Sequence, residues 1–175
     1  RDCFDGEGAL AALRQSITDA RDRLPDWTAD GIKTRTVMKG LRRSYRRARR
    51  SFEAARHGQN DGRWHEWRKR TKDVWYHLRL IEPVWPPVLD ATIARCGDLA
   101  DRLGEDHDLT VVVHRLPEIA PEGEARGETS RLRSLIAHRH EALRAEAREA
   151  GSLLFDEKPK AFVSRVEACW NEWRD

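Results

Sequence analysis

Two stretches of this sequence carry enough charge to do chemistry, and that chemistry is the holding of an anion. From Lys33 to Arg50 there are nine basic residues and no acidic one: Lys33, Arg35, Lys39, Arg42, Arg43, Arg46, Arg47, Arg49 and Arg50. At about 3.6 residues per turn, Arg35, Lys39, Arg42, Arg46 and Arg49 share one helical face. Like charges four residues apart, such as Arg42/Arg46 and Arg43/Arg47, oppose a helix by about 0.2–0.5 kcal/mol per pair. No local acid relieves them, so the charge answers to acids on a neighbouring helix or to a bound anion. The second stretch is His65-Glu66-Trp67-Arg68-Lys69-Arg70-Thr71-Lys72. Here His65, Arg68, Lys72, Tyr76 and Arg79 stand at offsets of 0, 3, 7, 11 and 14, one stripe along a helix. Arginine and lysine give charge-assisted hydrogen bonds to phosphate oxygens, and a tyrosine hydroxyl adds another donor. A repeating tetrahedral anion suits such a stripe better than one small metabolite. His65 has two readings, a structural histidine or a ligand whose proton the neighbouring cations disfavour until an anion binds.

An acidic segment follows at Gly104-Glu105-Asp106-His107-Asp108. Gly104 is expected to break the chain there, and Asp108 to cap the next helix or to orient the basic side chains. The spacing of Asp106, His107 and Asp108 is not diagnostic of a metal, and no metal or cofactor is expected. The chain has no Gly-rich phosphate loop, His-Glu-x-x-His or nucleophile elbow. Carboxylates for two-metal hydrolysis are scarce beside the basic stripes. The expectation is binding and not catalysis, with phosphate-polymer hydrolysis or transfer as the enzymatic alternative.

Helices must position these groups. Apolar residues at helical spacing predict helices over 7–24, 29–57, 61–82, 87–104, 108–116, 128–150 and 159–173. The residues 57–62, His-Gly-Gln-Asn-Asp-Gly, make a turn, and Pro83 and Pro86-Pro87 punctuate the chain. The Pro-, Gly- and Glu-rich segment 117–127 reads as a loop. Of seven tryptophans, Trp64, Trp67 and Trp75 share one predicted helix. They are expected to be mainly core anchors, base-stacking platforms being the alternative. The cationic rows of the two helices, through Arg42, Arg46, Arg68 and Lys72, are expected to face one concavity.

The whole chain fits this picture. Its 175 residues include 33 basic and 30 acidic ones, so the net charge is only +3 and the segregation of sign is what matters. An apolar fraction of 39% is too high for a disordered chain. Cys3, Cys96 and Cys169 are too few and too scattered for a disulfide framework or a zinc knuckle. They are expected to be reduced thiols. No apolar run has membrane-spanning length, no signal peptide is read, and no membrane partner is expected. The expected compartment is the cytoplasm. Nucleic acid is the alternative partner, since its phosphates make the same demand on cationic rows.

These residues carry a resemblance. His65 through Asp73, with Trp75-Tyr76-His77-Leu78-Arg79, resembles the signature of the CHAD family, named for conserved histidines in an α-helical domain. The preceding Gly40-Leu41 to Tyr45-Arg46-Arg47-Ala48-Arg49 and the later Leu103-Gly104-Glu105-Asp106-His107-Asp108-Leu109 are family-like and in the family's order, spanning 40–109. The resemblance implies an all-α fold, an antiparallel bundle of long helices within a larger two-bundle domain around a basic groove. It implies a ligand, inorganic polyphosphate, and an association with polyphosphate granules. Carried over residue by residue, the binding set is Lys39, Arg42, Arg43, Arg46, Arg49, His65, Arg68, Lys69, Lys72, Tyr76 and Arg79. Only one His-x-x-Arg helix is evident, and Arg1-Asp2-Cys3 looks like the end of the motif that closes a first bundle. The whole of 1–175 is therefore expected to be one helical region, the C-terminal part of a longer protein. An N-terminal half or a second chain would complete the groove.

Overall fold

The computed structural model describes residues 7–23, 33–119 and 126–174. Six helices follow in order: α1 (Glu7–Asp22), α2 (Thr34–Ala55), α3 (Asp61–Ile81), α4 (Pro86–Ile119), α5 (Arg126–Leu154) and α6 (Pro159–Arg174). A 3-10 turn at Glu82–Val84 joins α3 to α4, and no strand occurs among the described residues. The fold is all-α, as the periodicity predicts. Two compact units are distinguished, Arg1–Lys33 and Thr34–Asp175. In the first, α1 leaves its apolar stripe of Leu10, Leu13 and Ile17 exposed.

The second unit has a single core. Helix α2 contributes Met38, Leu41, Tyr45, Ala48 and Phe52, and α3 contributes Trp64, Trp67, Val74, Leu78 and Ile81. Leu89, Cys96, Leu99 and Leu103 from α4, Ala147 from α5 and Phe162 and Val166 from α6 complete it. Trp64 and Trp67 are fully buried and Trp75 half-buried, so the tryptophans of α3 serve mainly as anchors. Gly151 of α5 is required by this packing. A Cβ there would stand 2.6 Å from the Trp67 ring and 2.8 Å from that of Phe52. Burial pushes the Cys96 thiol up to about 12.

Local chemistry sets the ends of α3. Asn60 caps it, its side chain accepting from the Arg63 backbone N–H at 3.0 Å. Trp64 Nε1 donates to the Gly58 carbonyl at 3.0 Å, pinning the turn that the sequence predicts. Tyr45 stacks on Phe162 at 4.2 Å, and its hydroxyl lies within hydrogen-bond reach of the Leu154 and Glu157 carbonyls, at 3.0 and 3.1 Å. Arg49 Nε donates to the Phe155 carbonyl at 2.8 Å. Helix α2 thus holds the connection between α5 and α6.

Helix α4 departs from expectation. It runs unbroken through Gly104 and on past Pro117 to Ile119, so the predicted break is absent and 117–119 of the predicted loop are helical. Residues 120–125 of that predicted loop lie outside the described residues, as do 29–32 of the predicted second helix. A helical glycine costs about 1 kcal/mol against alanine, and tertiary packing offsets this. Gly97 and Gly104 lie where α3 comes close, facing the Trp75 ring at 3.5 Å and Arg68 Nε at 3.6 Å from their Cβ positions. Asp108 consequently sits within α4 and caps nothing.

Candidate functional site: cationic rows on two helices

Helices α3 and α4 run antiparallel in a register that fixes the first row. His65 lies against His107, with ring centroids 4.3 Å apart, Arg68 against Gly104, and Trp75 against Gly97. Small residues on α4 therefore admit the large side chains of α3. Lys72 is half-buried on the same row, while Tyr76 and Arg79 are exposed. Arg79 stacks its guanidinium over the Trp75 ring at 5.1 Å, which steadies that end of the row. The structure thus brings His65, Arg68, Lys72, Tyr76 and Arg79 together along one side of α3.

Two atoms in this row are buried without a hydrogen-bond partner, His65 Nδ1 and Arg68 Nε. Leaving such groups unmatched is costly. Burial holds the His65 imidazolium below its ordinary range, and His107, Lys69 and Arg68 add to the effect. Lys69 is partly spoken for, since its Nζ pairs with Glu66 at 3.0 Å. Arg70 completes that patch through Glu66 at 2.6 Å and Asp73 at 2.8 Å. Together Arg70 and Lys69 keep the Glu66 carboxyl below the usual range.

The second row, on α2, is more exposed. Lys39, Arg42, Arg43, Arg46, Arg47 and Arg50 project into solvent, and none has an ion pair among the described residues. Arg49 differs because its Nε is committed to the Phe155 carbonyl. The contacts divide the α2 row between two flanks. Helix α2 meets α3 through Gly40, next to His77, and Ala54, whose carbonyl accepts from Arg63. The flank of α2 that carries Arg49, Arg42 and Arg46 lies on the other side, where Tyr45 and Arg49 reach the segment around Phe155 and Phe162. On α3 the row faces α4. Arg42, Arg46 and Arg49 thus lie away from the α3 row, while Arg43, Arg47 and Arg50 lie nearer α3, Arg50 lining a surface recess with Arg63 and Glu66 of α3.

The acidic segment turns away from the row as well. Glu105 takes a bidentate contact from Arg139 of α5 at 2.6 and 2.8 Å. Asp106 takes Arg144 at 2.7 and 3.2 Å and lies 2.6 Å from His140 Nδ1. Asp108 is exposed and bonds to nothing among the described residues, so it orients no basic side chain. Sequence reasoning missed the buried Asp106–Arg144 pair. Its two members are 38 residues apart, and a lone arginine on an amphipathic helix gives no signal of burial. Among the described residues no group of three or more His, Cys, Asp or Glu side chains is gathered as for a metal, and no helix is long and apolar enough to cross a membrane.

Comparison with known proteins gives one match. The CHAD domain family model fits residues 5–117, from the N-terminal region through most of α4. That span contains both cationic rows and leaves α5 and α6 outside it. No curated protein and no solved structure matches the chain.

Proposed function

The chain belongs to the CHAD domain family, and from that premise we propose that it is a non-catalytic module that binds inorganic polyphosphate through the rows of α2 and α3. The observation that carries the reading is the row of α2, which keeps Arg35, Lys39, Arg42, Arg43, Arg46, Arg47 and Arg50 in solvent with no partnering acid among the described residues. Their mutual repulsion is relieved when a polymer of phosphates lies along them. On α3 the unpartnered Arg68 Nε and His65 Nδ1 supply a second set of polar groups, and Lys72, Tyr76 and Arg79 extend it. A base-free polymer asks for rows of charge and not for stacking platforms, which agrees with the burial of Trp64 and Trp67.

The test is a titration with polyphosphates of defined length at several salt concentrations, followed by competition with duplex DNA and RNA. Affinity is expected to fall as salt rises, through counterion release. Short polyphosphate should displace nucleic acid at equal charge concentration. Displacement in the opposite sense would make nucleic acid the ligand. Metal-dependent polyphosphate turnover that tracks with the purified chain would make the protein an enzyme.

A further inference from the structure

A separate cavity of about 610 Å³ opens between the C-terminal half of α4 and the N-terminal half of α5, with the turn before α3 across its end. Facing positions on the two helices leave a space here instead of interlocking. Thr110, Val113 and His114 line it from α4, and Arg133, Ile136 and His140 from α5. The wall is built and not accidental. Arg144 is 4% exposed and Asp106 is 3% exposed, and both are fully engaged. Arg144 donates to Asp106, to Asp61 at 2.6 Å and to the Gln59 side chain at 3.1 Å, and its guanidinium lies over the Trp64 ring at 5.0 Å.

That network fixes the tautomer of His140. Asp106 accepts from Arg144 as a carboxylate and has no proton to give, so the hydrogen on the 2.6 Å contact belongs to His140 Nδ1. With Nδ1 so engaged, Nε2 is the ring nitrogen left for the cavity that His140 lines. Glu141 at the rim adds a second acceptor. Arg133, exposed and without an ion pair among the described residues, supplies a cation. Ile136 and Val113 give an apolar surface between these poles. A ligand that fits has an anionic group for Arg133, hydroxyl or amino donors for His140 and Glu141, and a flat apolar body. The volume is that of a site for a molecule of this size.

We propose that this cavity binds a small phosphorylated molecule of nucleotide size, independently of the cationic rows and of whatever they bind. The cavity is lined by residues inside the family match, Gln59 to His114, and by residues of α5 that lie outside it.

The experiment titrates the full chain with AMP, with adenosine, ribose 5-phosphate and inorganic phosphate as separate arms, all in excess tripolyphosphate to occupy the rows. AMP is expected to bind saturably and more tightly than each of its parts. The side-chain ¹⁵N resonance of His140 Nε2 should shift on binding as that atom accepts a hydrogen bond. Ala137→Trp places a large ring at an exposed lining position and is expected to abolish AMP binding while the far-ultraviolet circular dichroism is unchanged. His140→Phe is expected to weaken it about tenfold, the loss of one hydrogen bond to a buried polar partner. No saturable AMP binding, equal binding by inorganic phosphate alone, or undiminished binding in Ala137→Trp would each overturn the proposal. None of these outcomes bears on whether polyphosphate binds the rows.

Discussion

His65 and Arg49 show how residues of similar promise come to differ. Burial and neighbouring cations depress the His65 imidazolium in the folded chain. Its contribution to stability is therefore present above the ordinary histidine value of about 6.5 and is lost as pH falls through it. A bound phosphate chain reverses that bias by stabilising the protonated ring, so binding takes up a proton and affinity rises as pH falls below neutral. His65→Gln should flatten this pH profile while leaving binding at pH 8 nearly intact, as followed by calorimetry in buffers of different ionisation enthalpy. An unchanged profile would return His65 to a purely structural role. Arg49 sits in the same sequence run as Arg46, but its Nε holds the Phe155 carbonyl. Arg46→Gln should weaken polyphosphate binding, lower its salt slope by about one unit per lost phosphate contact and leave stability unchanged. Arg49→Gln should lower stability by about 1–2 kcal/mol in urea unfolding, because a buried carbonyl loses a charge-assisted donor. Equal stability of the two variants would refute the distinction. The residue types of both rows were legible in the sequence. The engagement of Arg49 was not, because its partner lies 106 residues away on the backbone.

At the scale of elements, periodicity located every helix, and what it missed concerns how helices end and how they meet. Gly104 and Pro117 both read as breakers, yet α4 passes through each. Local propensity lost to packing, since α3 leans on Gly97 and Gly104 while α5 ties Glu105 and Asp106. The sequence also could not assign flanks. A stripe on a helical wheel is placed only when the neighbours are known, and the cations of α2 turn out to be divided between the flank towards α3 and the flank towards Phe155. Gly151 gives a direct test of the packing. Alanine there would gain roughly 1 kcal/mol of helix propensity, but its Cβ would press into the Trp67 and Phe52 rings. Overpacking costs about 1–3 kcal/mol, so Gly151→Ala should be net destabilising in chemical denaturation. A stabilised variant would show that these rings yield easily.

For the whole molecule, the hydrophobic core of the second unit runs from Met38 to Val166. The buried Cys96 carries a consequence of its own. Its sulfur is 0% exposed, and burial keeps it a thiol, whereas the reactive form is the thiolate. In the native chain it is silent to an alkylating reagent, and it reacts only during the moments when the bundle comes apart. Mass-resolved alkylation of Cys96 therefore works as a clock on native-state opening. With Cys3 and Cys169 replaced by serine, the labelling rate counts unfolding events without denaturant, and saturating polyphosphate should slow it by the factor expected for a ligand that binds only the folded chain.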